Sequence, residues 1–203
     1  MARLSKPMIS FIVPAYNEEH ELSGTLAAIH AAASRASAPY EIIVVDDAST
    51  DATPEIASRA GAKVIRINRR HIAASRNAGG RAAQGEYLFF IDADTRINRA
   101  HITGAIAAMD AGYAGGSARV NMDGLIPIWG RMLLLGFSSV YFGLNLGAGA
   151  FLFTTGHNFD IVGGFDEQYF AGEIAHVSCE TFSAQILWRN HPRSPRSPFA
   201  CKA

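Results

Sequence analysis

The sequence predicts an α/β fold in which a doubly wound, mostly parallel sheet is flanked by helices, and three observations carry the prediction. Short apolar runs recur along the chain, alanine-rich stretches of helical periodicity separate them, and the runs are apolar at nearly every position. Strands covered by helices on both faces read that way, and their alternation with helices implies right-handed crossovers. Met8 to Val13 is the first strand, ended by Pro14, and Glu41 to Val45 is the second, ended by Asp46-Asp47. Between them Leu22, Leu26 and Ile29 fall on one helical face. Thr53-Pro54-Glu55 offers an N-cap with proline at the first helical position, opening a short helix that stops at Gly61. Lys63 to Ile67 is a third strand, Ala73 to Ala83 a helix ended by Gly85, and Tyr87 to Ile91 a fourth strand. Ile102, Ile106 and Met109 mark a further helix before Gly112, and Tyr113 to Met122 a further strand.

The 203 residues suit one domain with a substantial core. Its expected bounds are 1–173, because the periodic patterns stop after Glu173 and His191 to Pro198 holds three of the eight prolines. Residues 174–203 are expected to form a poorly ordered tail. Lys plus Arg and Asp plus Glu balance at 18 each, which removes the basic field of a nucleic-acid binder, so no nucleic-acid partner is expected. Cys179 and Cys201 give neither a disulfide framework nor a thiolate metal spacing, and Met1 to Pro7 lacks the apolar core of a signal peptide. A cytoplasmic location is the expectation. The uncharged segment Met132 to Thr155 approaches the length of a membrane span, but its glycines, serines and asparagine interrupt it. A buried helix followed by a buried strand is the preferred reading, with peripheral contact at the inner membrane face as a second expectation.

The chemistry begins at the fourth strand. Asp92-Ala93-Asp94 follows Ile91 directly, so two acids emerge together at a strand end. Ligands of open α/β sheets bind outside the carboxyl ends of the strands, where hard carboxylates suit a divalent cation and a phosphate. Taken alone, an Asp-x-Asp reads more often as a helix cap or a solvated turn. Its company changes that reading: Ser10-Phe11-Ile12-Val13-Pro14-Ala15-Tyr16-Asn17-Glu18-Glu19, Val45-Asp46-Asp47-Ala48-Ser49-Thr50-Asp51, Ala74-Ser75-Arg76-Asn77-Ala78-Gly79, Gly85-Glu86-Tyr87 and Gly163-Gly164-Phe165-Asp166-Glu167. In this order and spacing, the pieces resemble the inverting nucleotide-sugar glycosyltransferases of family two, which have the GT-A fold. The resemblance covers roughly residues 8–173.

The resemblance implies an enzyme that moves a sugar from a nucleoside diphosphate sugar, UDP-linked, to an acceptor that is lipid-linked or a polysaccharide, by a metal-dependent inverting displacement. Pro14, Ala15, Tyr16 and Glu18 would line the nucleotide pocket, and Asp46 and Asp47 would accept hydrogen bonds from the base or ribose. A phenol ring can cover a base, and an ionised carboxylate can only accept. Arg76 would fork onto a phosphate or the base edge. Asp92 would contact the ribose or the cation's water shell, and Asp94 would ligate Mg²⁺ or Mn²⁺. Asn77 and Gly79 are read as packing residues.

The family's catalytic base is usually an acid in a Glu-Asp or similar pair shortly after the segment Gly163 to Glu167. Here Glu173 fits the first acid, but Ile174 replaces the second. Two readings follow. Either Glu173 serves as base, or the domain is incomplete at its C-terminal end and the chain is a truncated, catalytically impaired nucleotide-sugar-binding module; the composition break at Glu173 favours the altered end. Asp166 and Glu167 read as turn residues. His71, His101, His157, His176 and His191 lack a ligand spacing, so no zinc site is expected. A nucleotidyltransferase on a related sheet fits less well, because no glycine-rich loop follows the first strand.

Overall fold

The computed structural model describes residues 7–36, 38–117 and 150–168. In chain order the elements are β1 (Ile9–Ala15), α1 (Leu22–Ala36), β2 (Tyr40–Asp47), α2 (Thr53–Arg59), β3 (Lys63–Ile67), α3 (Ile72–Ala82), β4 (Tyr87–Ile91), α4 (Arg99–Asp110), β5 (Gly115–Ser117), β6 (Phe151–Thr155) and α5 (Gly156–Val162). The strands form one sheet in the order β3-β2-β1-β4-β6-β5. β1 pairs in parallel with β2 and β4, and β2 in parallel with β3, whereas β6 runs antiparallel to both β4 and β5. The doubly wound, mostly parallel architecture is therefore the one expected, with an antiparallel strand added beside β4.

Side-chain alternation along the strands sorts the core into two layers. Phe11 and Val13 of β1, Ile42 and Val44 of β2, and Phe89 and Ile91 of β4 pack with Leu22, Leu26 and Ile29 of α1 and with Ile102 and Met109 of α4. The intervening residues Ile12, Ile43, Val45, Leu88 and Phe90 pack on the other face with Ala73 of α3, Phe159 of α5 and Phe165. Because both faces are covered, β1 and β4 are buried at every position, which is why they read as continuous apolar runs.

The chain winds outward from β1 through β2 to β3, then returns to place β4 on the opposite side of β1. The sheet thus has a topological switch point between β1 and β4, and the crevice outside their carboxyl ends is where such a sheet receives a ligand.

Several expected boundaries move. Pro14 does not end β1: the strand runs to Ala15, with Pro14 opposite Val45 of β2. The pairing of β1 with β4 stops at Ile12, so the missing N–H of Pro14 removes no bond from that ladder. Asp46 and Asp47 lie inside β2, opposite Arg66 and Ile67 of β3, not beyond it. Thr53 is the first residue of α2 and Ala52 the cap, because the Thr53 hydroxyl instead donates to Asp51 and accepts from the Glu18 amide. Gly85 is not the stop of α3, which ends at Ala82; a Cβ at Gly85 would come within 2.7 Å of the Ser10 amide nitrogen, so close approach to β1 is its reason. Gly61 and Gly112 do take left-handed backbone after α2 and α4, at φ of 79° and 95°.

The strand expected from Tyr113 is described only as Gly115–Ser117; 118–122 lie outside the described residues. Of the uncharged segment, Phe151 to Thr155 forms the buried strand β6 and 132–149 lie outside, as do Glu173 and the expected tail 174–203. No helix among the described residues is long and apolar enough to cross a membrane.

Candidate functional site

An open cleft of about 500 Å³ lies at the switch point. Pro14, Ala15, Tyr16 and Glu18 line it from the end of β1, Asp47 from β2, and Asp92, Ala93 and Asp94 from the end of β4. Arg70, His71, Ile72 and Ser75 complete the wall from the start of α3. The fold thus gathers most of the sequence-predicted site residues on one surface. Asp46 and Arg76 are not on the cleft wall, and Glu173 lies outside the described residues.

The two acids of β2 part company because consecutive strand residues face opposite sides. Asp46 points toward the α1 and α2 layer, accepting from the Ser49 amide at 3.1 Å and lying 3.6 Å from Arg66 Nε. Asp47 points toward α3 and gathers the chain before that helix. Its carboxylate accepts from the amides of Arg69 at 2.7 Å, Arg70 at 2.9 Å and His71 at 2.8 Å, and from the Ser75 hydroxyl at 3.2 Å. Burial pushes the Asp47 carboxyl up, but these donors to the charged form outweigh it and hold the group below the ordinary aspartate range.

That capture shapes the end of the cleft beside β1 and β2. Arg70 is held at a left-handed φ of 49°, with its guanidinium 4.0 Å from the centroid of the Tyr16 ring. Tyr16 is in turn fixed by the lacing of the loops after β1 and β2. The Asn17 amide donates to Ser49 Oγ at 3.0 Å, and Asn17 Oδ1 accepts from the Thr50 amide at 2.8 Å. The Glu19 amide donates to Asp51 Oδ2 at 3.1 Å, and Glu19 Oε2 accepts from the Ala52 amide at 3.2 Å. Arg70, His71 and Ser75 were not foreseen as site residues. The signal was the basic run Arg69-Arg70-His71 just before the alanine-rich helix.

At the β4 end, Ile91 closes the strand and a turn follows, with the Thr95 amide donating to the Asp92 carbonyl at 3.0 Å. Asp92 continues the face of Leu88 and Phe90 toward α3, where Arg76 Nη2 donates to its Oδ1 at 3.1 Å. Burial holds Asp92 above the ordinary carboxylate range even though Arg76 pulls it down. Asp94 is exposed, and its carboxylate accepts from the Thr95 hydroxyl at 3.4 Å. Glu18 is also raised, first by burial and then by the negative charge of Asp94, Glu21, Asp51 and Asp92.

A concentration of carboxylates around one cleft wall is a test of fit for a divalent cation. Among the described residues no group of three or more His, Cys, Asp or Glu side chains is arranged to enclose an ion. A closed all-protein cage is therefore absent from that part of the chain. A hard cation held by one or two carboxylates and completed by phosphate oxygens and water does fit, with Asp94 as the accessible donor and Asp92 behind it.

Asn77, expected to serve packing, clamps the segment after α5 onto α3. Its Oδ1 accepts from the Phe165 amide at 2.7 Å, and its Nδ2 donates to the Phe165 carbonyl at 3.0 Å and to Glu167 Oε1 at 2.9 Å. Glu167 also pairs with Arg69 at 3.1 Å.

The sequence profile of Glycosyl transferase family 2 matches residues 10–162. The undecaprenyl-phosphate 4-deoxy-4-formamido-L-arabinose transferase of Edwardsiella ictaluri (strain 93-146) is 34% identical over 112 residues, covering 52% of this chain and 34% of that protein. The succinoglycan biosynthesis protein ExoO of Rhizobium meliloti (strain 1021) is 30% identical over 131 residues, 63% of this chain and 36% of that protein. The chain therefore spans about a third of the length of these curated relatives. Among solved structures, the mannosyltransferase PcManGT from Pyrobaculum calidifontis in complex with GDP-Man and Mn²⁺ superposes with a TM-score of 0.65 at 23% identity, over 83% of this chain and 50% of that one. The S. aureus TarS 1-349 complex with UDP-GlcNAc superposes at 0.56 and 23% identity, over 79% of this chain and 49% of that one. These similarities show the same fold.

Proposed function

We propose, from the premise that the chain belongs to glycosyl transferase family 2, that the cleft binds a nucleoside diphosphate sugar and that the sugar is transferred to an acceptor hydroxyl or phosphate with inversion at the anomeric carbon. The observation that carries this reading is the convergence of Tyr16, Asp47, Arg70 and Asp92-Ala93-Asp94 on one cleft at the switch point. Tyr16 covers the base, with Asp47 fixing the backbone that holds Arg70 beside it. Arg70 supplies positive charge facing the diphosphate, with His71 beside it on the cleft wall. Asp94 holds Mg²⁺ or Mn²⁺, with Asp92 restrained by Arg76 at its back. A cation held there would supply positive charge against the diphosphate as it departs.

The UDP-linked donor is supported by TarS, whose structures carry UDP and UDP-GlcNAc, and PcManGT with GDP-Man marks the alternative base. An undecaprenyl-phosphate transferase and a succinoglycan biosynthesis protein among the relatives support a lipid-linked or polysaccharide acceptor; contact at the inner face of the membrane extends that reading. Glu173 is the proposed base, accepting the proton of the attacking hydroxyl.

Calorimetric titration with UDP and with GDP, each with and without Mn²⁺, tests the reading. Wild-type protein is expected to bind one of them in a Mn²⁺-dependent manner. Asp94→Asn should weaken that binding by roughly tenfold or more while shifting stability by no more than about 0.5 kcal/mol, because the side chain is exposed. Glu173→Gln should abolish transfer and leave nucleotide binding intact. Absence of nucleotide binding by the wild type would refute the proposal.

A further inference from the structure

The turn that carries Asp94 is tied to α1 by a contact the donor reading does not use. Thr25 of α1 is fully buried, and its hydroxyl donates to the carbonyl of Ala93, between the two acids, at 2.5 Å. The same oxygen accepts from Arg96 Nη1 at 2.5 Å, while Arg96 Nη2 donates to Glu21 Oε2 at 2.8 Å. A hydroxyl has one proton to give and lone pairs left to receive, so Thr25 relays between a carbonyl and a guanidinium, and the charged donor strengthens the chain.

Gly24 makes room for this arrangement. A Cβ there would stand 2.5 Å from Arg96 Nη2 and 2.8 Å from its Cζ. Glycine inside a helix costs about 1 kcal/mol relative to alanine, and its backbone here is not left-handed, so the space above it is what the residue provides.

The contact acts on a peptide plane. The Ala93 carbonyl and the Asp94 amide belong to one rigid unit. Fixing that carbonyl fixes the plane from which the Asp94 side chain projects into the cleft. We propose that Gly24, Thr25 and Arg96 form a latch from α1 to the turn after β4, with Thr25 and Arg96 as positioning residues that aim the Asp94 carboxylate at the divalent cation. This inference rests on the assignment of Asp94 as the cation's ligand.

The test is Mn²⁺ binding to the full chain in the presence of UDP, read from the paramagnetic resonance signal of free Mn²⁺, beside thermal unfolding of each variant. Thr25→Val and Gly24→Ala are each expected to weaken Mn²⁺ binding by roughly tenfold, the loss usual when a partner one step behind a metal ligand is removed. Thr25→Ser keeps the hydroxyl and should bind as wild type does. Gly24→Ala separates aiming from folding: its methyl displaces the guanidinium, and alanine's helix preference offsets the Arg96 hydrogen bonds lost, so metal affinity falls with little change in melting temperature. Wild-type affinity in both Thr25→Val and Gly24→Ala overturns the latch, and weakening confined to Thr25→Val overturns the part given to Gly24 and Arg96. Asp94→Asn binding Mn²⁺ as well as wild type overturns the Asp94 assignment and the inference with it, a result distinct from either of the others.

Discussion

Asp47 organises more of the cleft than any other carboxylate described, because three consecutive amides and a hydroxyl converge on it. Hydrogen bonds to a charged group contribute about 1.5–3 kcal/mol each when broken singly. Asp47→Asn keeps one acceptor oxygen and turns the other into a donor facing amides, so a loss of roughly 2 kcal/mol at neutral pH is expected in urea unfolding. The pH dependence has a definite sign. The folded carboxyl titrates below its ordinary value of 3.8, so the stabilisation is complete above that value and is lost as pH falls through the lower folded one. Unfolding measured from pH 5 downward should therefore show a steeper acid limb in the wild type than in Asp47→Asn. Equal limbs would mean that the amides around residue 70 are satisfied elsewhere.

At the scale of elements, the position of α3 decides where Ser75, Arg76 and Asn77 stand. Gly79 lets that helix lie directly on the sheet: a Cβ there would collide with the Ile12 side chain and come 3.0 Å from Val45 Cγ2. Both contacts are with fully buried strand residues that have nowhere to retreat. Gly79→Ala is expected to cost about 1–3 kcal/mol through overpacking, despite alanine's better helix propensity. It should also weaken nucleotide binding, because Ser75 would be drawn away from Asp47. Thermal unfolding and calorimetry on the same variant check both effects.

Across the whole molecule, one aromatic cluster joins the parallel strands to the antiparallel addition. Phe89 of β4 packs against Phe11 of β1 at 5.5 Å between ring centroids, and against Phe151 and Phe153 of β6 at 5.7 and 6.3 Å. Phe89→Ala should lower stability by about 3–5 kcal/mol, seen as a lower denaturation midpoint with an unchanged slope. The strands β1 to β4 were legible in the sequence, because hydrophobic periodicity is a local property: the runs at Met8, Glu41, Lys63 and Tyr87 became these strands and the stripe from Leu22 to Ile29 lies in α1. So were Tyr16, Asp92 and Asp94, since a strand end brings its own neighbours to the crevice. The capture of Asp47 by the amides before α3, the left-handed Arg70 over Tyr16 and the reach of Thr25 to Ala93 were not legible. Each joins residues at least 22 apart in sequence, and only the packing of α1, β2 and α3 around one sheet fixes which of many polar groups meet. Sequence by itself determined the elements, their order and the acids at their ends; tertiary structure decided which acid faces the cleft and which holds the chain together, because strand register and helix placement set side-chain direction, and composition does not.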